Sequence, residues 1–166
     1  FKGLCNFEGL ASITQRTEAG SETSPKSAVL LLPCKYPRFV EAGLPAANDR
    51  VLYVFRHLYT ADSKAYVEQE MTTLEIDVGP ILRDFRLRRL RPSAIEVVDN
   101  HLIILAGKER VLLETDLNGE LLDWRRLPWP RHRQAEGLTV LEDGSLIIAD
   151  EGRWLGGTIT LYRRKT

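Results

Sequence analysis

Short apolar runs separated by turn-forming residues recur along the second half of the chain. Residues 94–98 and 102–106 form one such pair of runs, and residues 137–141 and 146–149 form the next. Short runs rich in Val, Ile, Leu and Thr, bounded by Asn, Asp and Gly, predict β-strands joined by tight turns. The second run of each pair is apolar at successive positions, which predicts a strand that is buried on both faces.

The two pairs of runs are copies of one repeating unit. Ile95 corresponds to Leu138, 43 residues later, and Leu102 corresponds to Leu146, 44 residues later. A period of about 40–45 residues with several short strands in each unit is the size of a β-propeller blade. The inner strands of a blade lie between neighbouring blades, and this environment suits runs that are apolar on both faces.

Three units account for the whole chain, and the first unit is the loosest because long polar stretches separate its strands. Residues 61–70, within one of these stretches, favour a helical turn. The pattern predicts an all-β fold of about eleven antiparallel strands, arranged as three consecutive blades, or half, of a six-bladed β-propeller. The units span roughly residues 1–90, 91–130 and 131–166, and the polar stretches are residues 14–27, 35–49 and 57–70.

Three blades do not close a ring, since propellers have at least about four. The third unit has three predicted strands before Thr166, and the chain begins at Phe1 without a charged and then apolar leader. We therefore expect a partner that completes the ring. It is either a missing first half of the propeller or a second copy of this chain related by a twofold axis.

Composition and charge are those of an ordinary globular domain. Hydrophobic residues make up 43% of the chain, and Lys plus Arg and Asp plus Glu each total 23, so the net charge is zero. Zero net charge gives no reason to expect a nucleic acid as partner, and no apolar run reaches the ~18 residues of a membrane span. An arginine cluster within residues 83–91 is interpreted as a charged strand edge or loop, with a phosphate-binding patch as the alternative.

The two cysteines, Cys5 and Cys34, flank two neighbouring predicted strands. Two cysteines are too few for a disulfide framework, and their spacing does not suit a metal site. We expect two buried free thiols, with a disulfide as the geometric alternative.

Five segments carry a resemblance to a known family. In chain order, they resemble the C-terminal half of the SdiA-regulated family of bacterial propellers, which is similar to phytase-like and gluconolactonase-like propellers. The resemblance implies a six-bladed propeller that is periplasmic or attached to the cell surface, and several related propellers bind a divalent cation at the channel mouth. This sequence departs from the family by lacking the first half and an export signal. The segments are residues 7–11, 32–35, 91–95, 134–138 and 144–152.

A repeated Glu-Gly-Leu is the sharpest candidate for a site. Glu8 and Glu136 lie 128 residues apart, close to three periods, and each opens the innermost strand of its blade. Gly9 and Gly137 let the backbones crowd near the axis. Together with Asp150, the two glutamates predict a calcium site at the channel mouth, since calcium takes about six to eight oxygen ligands. The alternative is architectural, with the carboxylates bonded to backbone amides of the next blade.

Other polar residues lie where they would contact a ligand at the same mouth. Ser93 matches the glutamates in the second unit, and Lys35 and Arg38 follow a strand of the first unit. The two cations are expected to pair with an anionic ligand or with Glu8, or to be ordinary surface cations. His132, on the loop into the third unit, is expected to be a solvent-exposed loop histidine, with a ligand contact or general base at the channel mouth as the alternative.

Trp129 lies in the Pro-Trp-Pro segment that links the second and third units. We expect its ring to pack between these units, with an aromatic platform for a ligand as the alternative.

The sequence favours a binding function over an enzymatic one. It has no Gly-x-Ser-x-Gly elbow, no phosphate-binding glycine loop and no Cys-x-x-Cys. The favoured interpretation is a propeller that binds a small molecule or a protein on its top face. The alternative is a cation-dependent hydrolase of phosphatase, esterase or lactonase type, in which Glu8 and Glu136 hold the metal that activates water.

Overall fold

The structure is a computed structural model, and it shows an all-β fold as the sequence predicts. Within the part that it describes, twelve β-strands and one α-helix are present, and the strands form three antiparallel sheets in chain order. Such successive antiparallel sheets are consistent with consecutive propeller blades. The described residues are 5–15, 27–38, 46–60, 72–152 and 156–164.

The first sheet holds five strands, one more than expected, and β3 is at its centre. Both β1 and β2 pair with β3, which in turn pairs with β4, and β4 pairs with β5. Strands β2, β3 and β4 run further than predicted, into stretches that the sequence analysis assigned to loops. The strands are β1 (Cys5–Phe7), β2 (Ala11–Gln15), β3 (Ser27–Pro37), β4 (Val51–Thr60) and β5 (Thr72–Asp77).

The second and third sheets are simple meanders, with four and three strands. Asp99 and Asn100 join β6 to β7 with φ angles of 47° and 66°, the left-handed values that a two-residue hairpin turn needs. The second sheet consists of β6 (Ala94–Val98), β7 (His101–Ala106), β8 (Val111–Asp116) and β9 (Leu121–Arg126), and the third of β10 (Ala135–Val140), β11 (Leu146–Asp150) and β12 (Thr158–Tyr162).

The second sheet lies between the other two, and its side chains fill both cores. Leu102 and Ile104 of β7 are fully buried against the first sheet. Leu105, on the opposite face of the same strand, is buried with Ile148 of the third sheet. This confirms that a strand apolar at successive positions is buried on both faces. Strand β6 of the second sheet contacts β2 of the first sheet and β10 of the third, and we call these three the inner strands.

The single described helix, α1 (Gly79–Phe85), lies in the connection between the first two sheets. It has a proline in its first turn, and the residue that follows its last turn, Arg86, has a left-handed φ of 52° that stops the helix. Ile81 and Leu82 are buried in the core between these sheets. The sequence analysis missed this helix, and the helical turn predicted at residues 61–70 falls outside the described residues. No described helix is long and apolar enough to cross a membrane.

The helix also corrects the interpretation of the arginine cluster. Arg83 lies in α1, and the arginines after it lie in the connection that leads to β6. Of the two options, strand edge or loop, the loop therefore holds for the arginines after the helix. The phosphate-binding patch stays a prediction.

The two cysteines are joined, so the expectation of free thiols is wrong. Cys5 and Cys34 form a disulfide with their Cα atoms 5.7 Å apart. The cause is the unpredicted strand β1, which pairs with the end of β3 so that Phe7 stands opposite Cys34. The disulfide therefore ties the first described strand to the central strand of its sheet.

Candidate functional site

The starts of the three inner strands lie side by side and carry three of the predicted site residues, Glu8, Ser93 and His132. We call the segments just before β2, β6 and β10 the mouth face (residues 8–10, 91–93 and 132–134). A β-carbon on Gly9 would lie 3.0 Å from the Cα of Ala94, so the first two segments touch through backbone. The Ser93 hydroxyl lies 3.0 Å from the Ala135 carbonyl, which joins the second and third segments.

In all three sheets, a side chain on the mouth face is tied to the strand that pairs with the inner strand, or to the turn after that strand. In each case the first partner stands three residues before the start of the inner strand. We call these contacts the mouth pairs. They are Glu8–Lys35 at 3.2 Å, Arg91–Glu109 at 2.6 Å and His132–Asp150 at 2.7 Å.

Glu8 is engaged within its own sheet. The Lys35 ammonium and the Asn6 side-chain amide each donate to Oε1 of Glu8 at 3.2 Å. This is the pairing of Lys35 with Glu8 that the sequence analysis named as one of its options. Arg38, the other predicted cation of the first unit, is exposed directly after β3.

Glu136 is exposed on β10 and has its own partner in the third sheet. Its carboxylate accepts a hydrogen bond of 3.2 Å from the Gln134 side-chain amide, which also bonds Glu151. Among the described residues, no group of three or more His, Cys, Asp or Glu side chains is placed to hold a metal ion. The calcium site at Glu8, Glu136 and Asp150 stays a prediction.

Ser93 is buried and joins two sheets. Its hydroxyl lies 3.3 Å from the Leu105 carbonyl and accepts a hydrogen bond of 3.1 Å from the Gly107 amide. A β-carbon on Gly107 would lie only 1.7 Å from the Ala135 carbonyl oxygen, so glycine is required at this close approach. Ser93 therefore sits in the seam between the second and third sheets.

His132 is fully buried, so the expectation of a solvent-exposed loop histidine is wrong. Its Nδ1 lies 2.7 Å from Oδ2 of Asp150, and its Nε2 lies 2.6 Å from the Tyr162 hydroxyl. Oδ1 of Asp150 accepts a hydrogen bond of 3.2 Å from the Gln134 amide. Both ring nitrogens are thus satisfied, and a polar group so bonded can be buried without a large desolvation cost.

A groove opens between the second and third sheets, with a volume of about 440 Å³. It is lined by apolar side chains of both sheets, which we call its floor, and by charged side chains that include Asp123 and Arg125 of β9. Beside it lies β12, the last strand of the third sheet, and no described strand pairs with its outer edge. The floor residues include Ile103, Leu112, Leu146 and Tyr162.

Trp129 is largely exposed, so the prediction that it packs between the units is wrong. Trp129 lies on the loop between β9 and β10, and 62% of its surface is exposed to solvent. The guanidinium carbons of Arg110 and Arg133 lie 5.1 Å and 5.3 Å from its ring centroid. Trp154, near the end of the chain, falls outside the described residues.

No family model matches this sequence, and no curated protein matches it either.

Sequence reasoning missed the groove and Tyr162. Tyr162 stands 30 residues from the histidine that it bonds, and no local pattern relates the two. The sequence carries one signal for the groove. The third unit has three predicted strands where the second has four, so its last strand is expected to lack a neighbour on its outer side.

Proposed function

We propose that this chain is a non-catalytic binding module that takes up an extended polypeptide segment in the groove between the second and third sheets. The observation that supports the proposal most is β12 itself: no described strand pairs with its outer edge, and its last residue, Tyr162, lines the groove. The edge of a sheet offers backbone N–H and C=O groups in a row, and extended peptides bind such edges as an added strand.

The second sheet provides an internal template for this binding. There, β8 is the third strand, and β9 covers its outer edge over a ladder from Val111 to Thr115. Strand β12 is the third strand of its own sheet and ends beside the groove at Tyr162. A segment on β12 would take the place that β9 has in the second sheet.

The groove determines the chemistry of such a segment. Successive side chains of a strand point to opposite faces, so every second side chain of the bound segment would enter the groove. There it would meet the apolar floor at Ile103, Leu112 and Leu146. The intervening side chains would cover the other face of β12, where Ile159 is 77% and Leu161 is 47% exposed. We therefore propose a segment that is apolar on both faces.

The resemblance to SdiA-regulated propellers extends this proposal. A six-bladed ring in the periplasm or at the cell surface would hold the three sheets rigidly while the groove stays open at the rim. This arrangement suits recognition, because binding to a preformed groove orders few protein groups.

The proposal is tested by selecting random octapeptides from a display library against the purified chain and measuring their affinity by fluorescence anisotropy. Leu146→Glu places a charge in the floor of the groove, and we expect it to weaken the selected peptides about tenfold or more. Leu122→Glu is the matched control, because Leu122 is an exposed leucine of β9 that does not line the groove.

Both variants must first show the same unfolding midpoint in urea, so that a loss of affinity is not a loss of fold. Selected peptides that bind wild type and Leu146→Glu equally would rule out the groove. A selection that yields no binding peptide would rule out the function.

A further inference from the structure

A second surface, distinct from the groove, lies where the loop between β9 and β10 crosses the mouth face. Trp129 presents its ring there with 62% of its surface exposed. Arg110, on the turn after β7, and Arg133, on the crossing loop itself, hold their guanidinium groups 5.1 Å and 5.3 Å from the ring. Cations within about 6 Å of an indole ring are attracted to its face.

Among the described residues, the two guanidinium groups have no acidic partner, so their hydrogen-bond donors suit an anionic ligand. In the described parts of the chain, neither Arg110 nor Arg133 has a carboxylate at salt-bridge distance. Arg91, by contrast, is bonded to Glu109 through two of its nitrogens. An arginine has five N–H donors and no acceptor, so its natural partner is an anion with several oxygens.

The backbone at Arg110 indicates that its side chain is needed at this point. Arg110 has a φ of 57°, in the left-handed region where residues other than glycine are strained. Two backbone hydrogen bonds fix the turn, from the Arg110 amide to Gly107 at 3.1 Å and from the Leu127 amide to Arg110 at 2.8 Å. Glycine or asparagine would suit this turn better, and neither reaches Trp129 with a positive charge.

We propose that Trp129, Arg110 and Arg133 form a binding site for a small ligand that joins an aromatic ring to an anionic group. The ligand ring packs against the part of the indole that the two guanidinium groups leave exposed, and the carboxylate, sulfate or phosphate accepts hydrogen bonds from these groups. A planar guanidinium that already lies against an aromatic ring is positioned for this role with little loss of side-chain freedom.

Isothermal titration calorimetry with a matched set of probes tests the site. The probes are 1-naphthoate, 1-naphthalenesulfonate and 1-naphthyl phosphate, which share a ring and differ in the anion, with 1-naphthalenemethanol as the neutral ring and inorganic phosphate as the anion alone. We expect one or more of the naphthyl anions to bind about tenfold or more tightly than the neutral ring and than phosphate. The ranking among the three anions identifies the preferred group.

Three variants locate the binding. Trp129→Ala and Arg110→Gln are each expected to weaken the naphthyl anions about tenfold. Arg125→Gln is the control, since Arg125 is an exposed arginine on β9 that pairs with Asp123, away from Trp129. Leu146→Glu in the groove is expected to leave anion binding unchanged, which separates this site from the proposed peptide groove.

Trp129 is exposed, so its truncation does not threaten the fold. Absence of binding by all three anions, equal binding of the neutral ring, or undiminished binding to Trp129→Ala would each overturn the proposal.

Discussion

At the scale of single residues, His132 is the polar group on which the third sheet depends most. It is fully buried and bonds Asp150 on β11 and Tyr162 on β12. The side chain therefore pins the loop that crosses from the second sheet onto two strands of the third. A buried polar hub of this kind stabilises only while all its members are satisfied.

Removing the His132 side chain is expected to lower the free energy of unfolding substantially. His132→Ala leaves the Asp150 carboxylate buried with one partner fewer, and each such unsatisfied group costs about 1–3 kcal/mol. Equilibrium unfolding in urea should show a loss of about 3 kcal/mol. His101→Ala, which removes a half-exposed partner of Glu114, is the control with an expected loss of less than about 1 kcal/mol. Equal losses would mean that the buried network does not hold the third sheet.

The surroundings of Asp116 predict how the stability of the fold depends on pH. The Glu120 and Asn118 amides donate to its Oδ1 at 2.7 Å and 2.9 Å, and these bonds lower the pKa of the carboxyl below its usual value. A carboxyl with a lowered folded-state pKa stabilises the fold above its unfolded pKa of about 3.9, and this contribution is lost as the pH falls further.

The test compares wild type with Asp116→Asn by urea unfolding at several pH values. Wild type should be the more stable at pH 7, and its advantage should shrink below about pH 4. A difference that does not change with pH would show that the charge of Asp116 plays no part.

At the scale of elements, the disulfide is the main covalent constraint on the first sheet. It closes a segment with a sequence separation of 29 residues and fixes β1 against β3. Loop closure of this length is worth about 3.5 kcal/mol in the chain-entropy model. A reductant should therefore lower the unfolding midpoint of wild type and have no effect on the double variant Cys5→Ala, Cys34→Ala. An unfolding midpoint of wild type that is the same with and without reductant would show that the disulfide adds nothing to stability.

How far the sequence predicts each element depends on whether local pattern or distant contacts decide it. Strands β7 and β11 follow from their runs of apolar residues, and both were predicted with their turns. Strand β1 is only three residues long, and it exists because it pairs with β3 across the chain. The disulfide follows from that pairing, so the sequence alone did not decide between a disulfide and two free thiols.

The site was predicted less well than the fold for the same reason. The repeat predicted that Glu8, Ser93 and Glu136 occupy equivalent positions where the inner strands start, with His132 on the loop into the third unit. In the structure Glu8 and His132 each stand three residues before an inner strand, Ser93 stands one residue before β6, and Glu136 is the second residue of β10. The repeat therefore located these residues near the strand starts but not their equivalence. It did not show which partners they find, because Lys35 and Asp150 lie in strands whose register is set by long-range pairing. Pairing within each sheet explains why these polar groups are engaged with the protein itself.

At the scale of the whole molecule, three sheets stacked through their inner strands explain both proposed surfaces. The mouth face brings the loop of Trp129 above the seam between the second and third sheets. The groove lies between the second and third sheets and is lined by residues that include Trp124 of β9 and Tyr162 of β12. The resemblance to a six-bladed propeller adds the expectation that further sheets cover the outer faces of the first and third.

The stacking of inner strands is tested most directly by proton NMR distances between sheets. The approach of Gly9 to the backbone of Ala94, with a β-carbon position only 3.0 Å from the Ala94 Cα, predicts strong nuclear Overhauser effects from the Gly9 α-protons to Ala94 and Ile95. A second set is predicted between Gly107 and Ala135, across the other seam. Effects from Gly9 and Gly107 that stay within their own sheets would contradict the stacked arrangement, and both proposed surfaces would lose their structural basis.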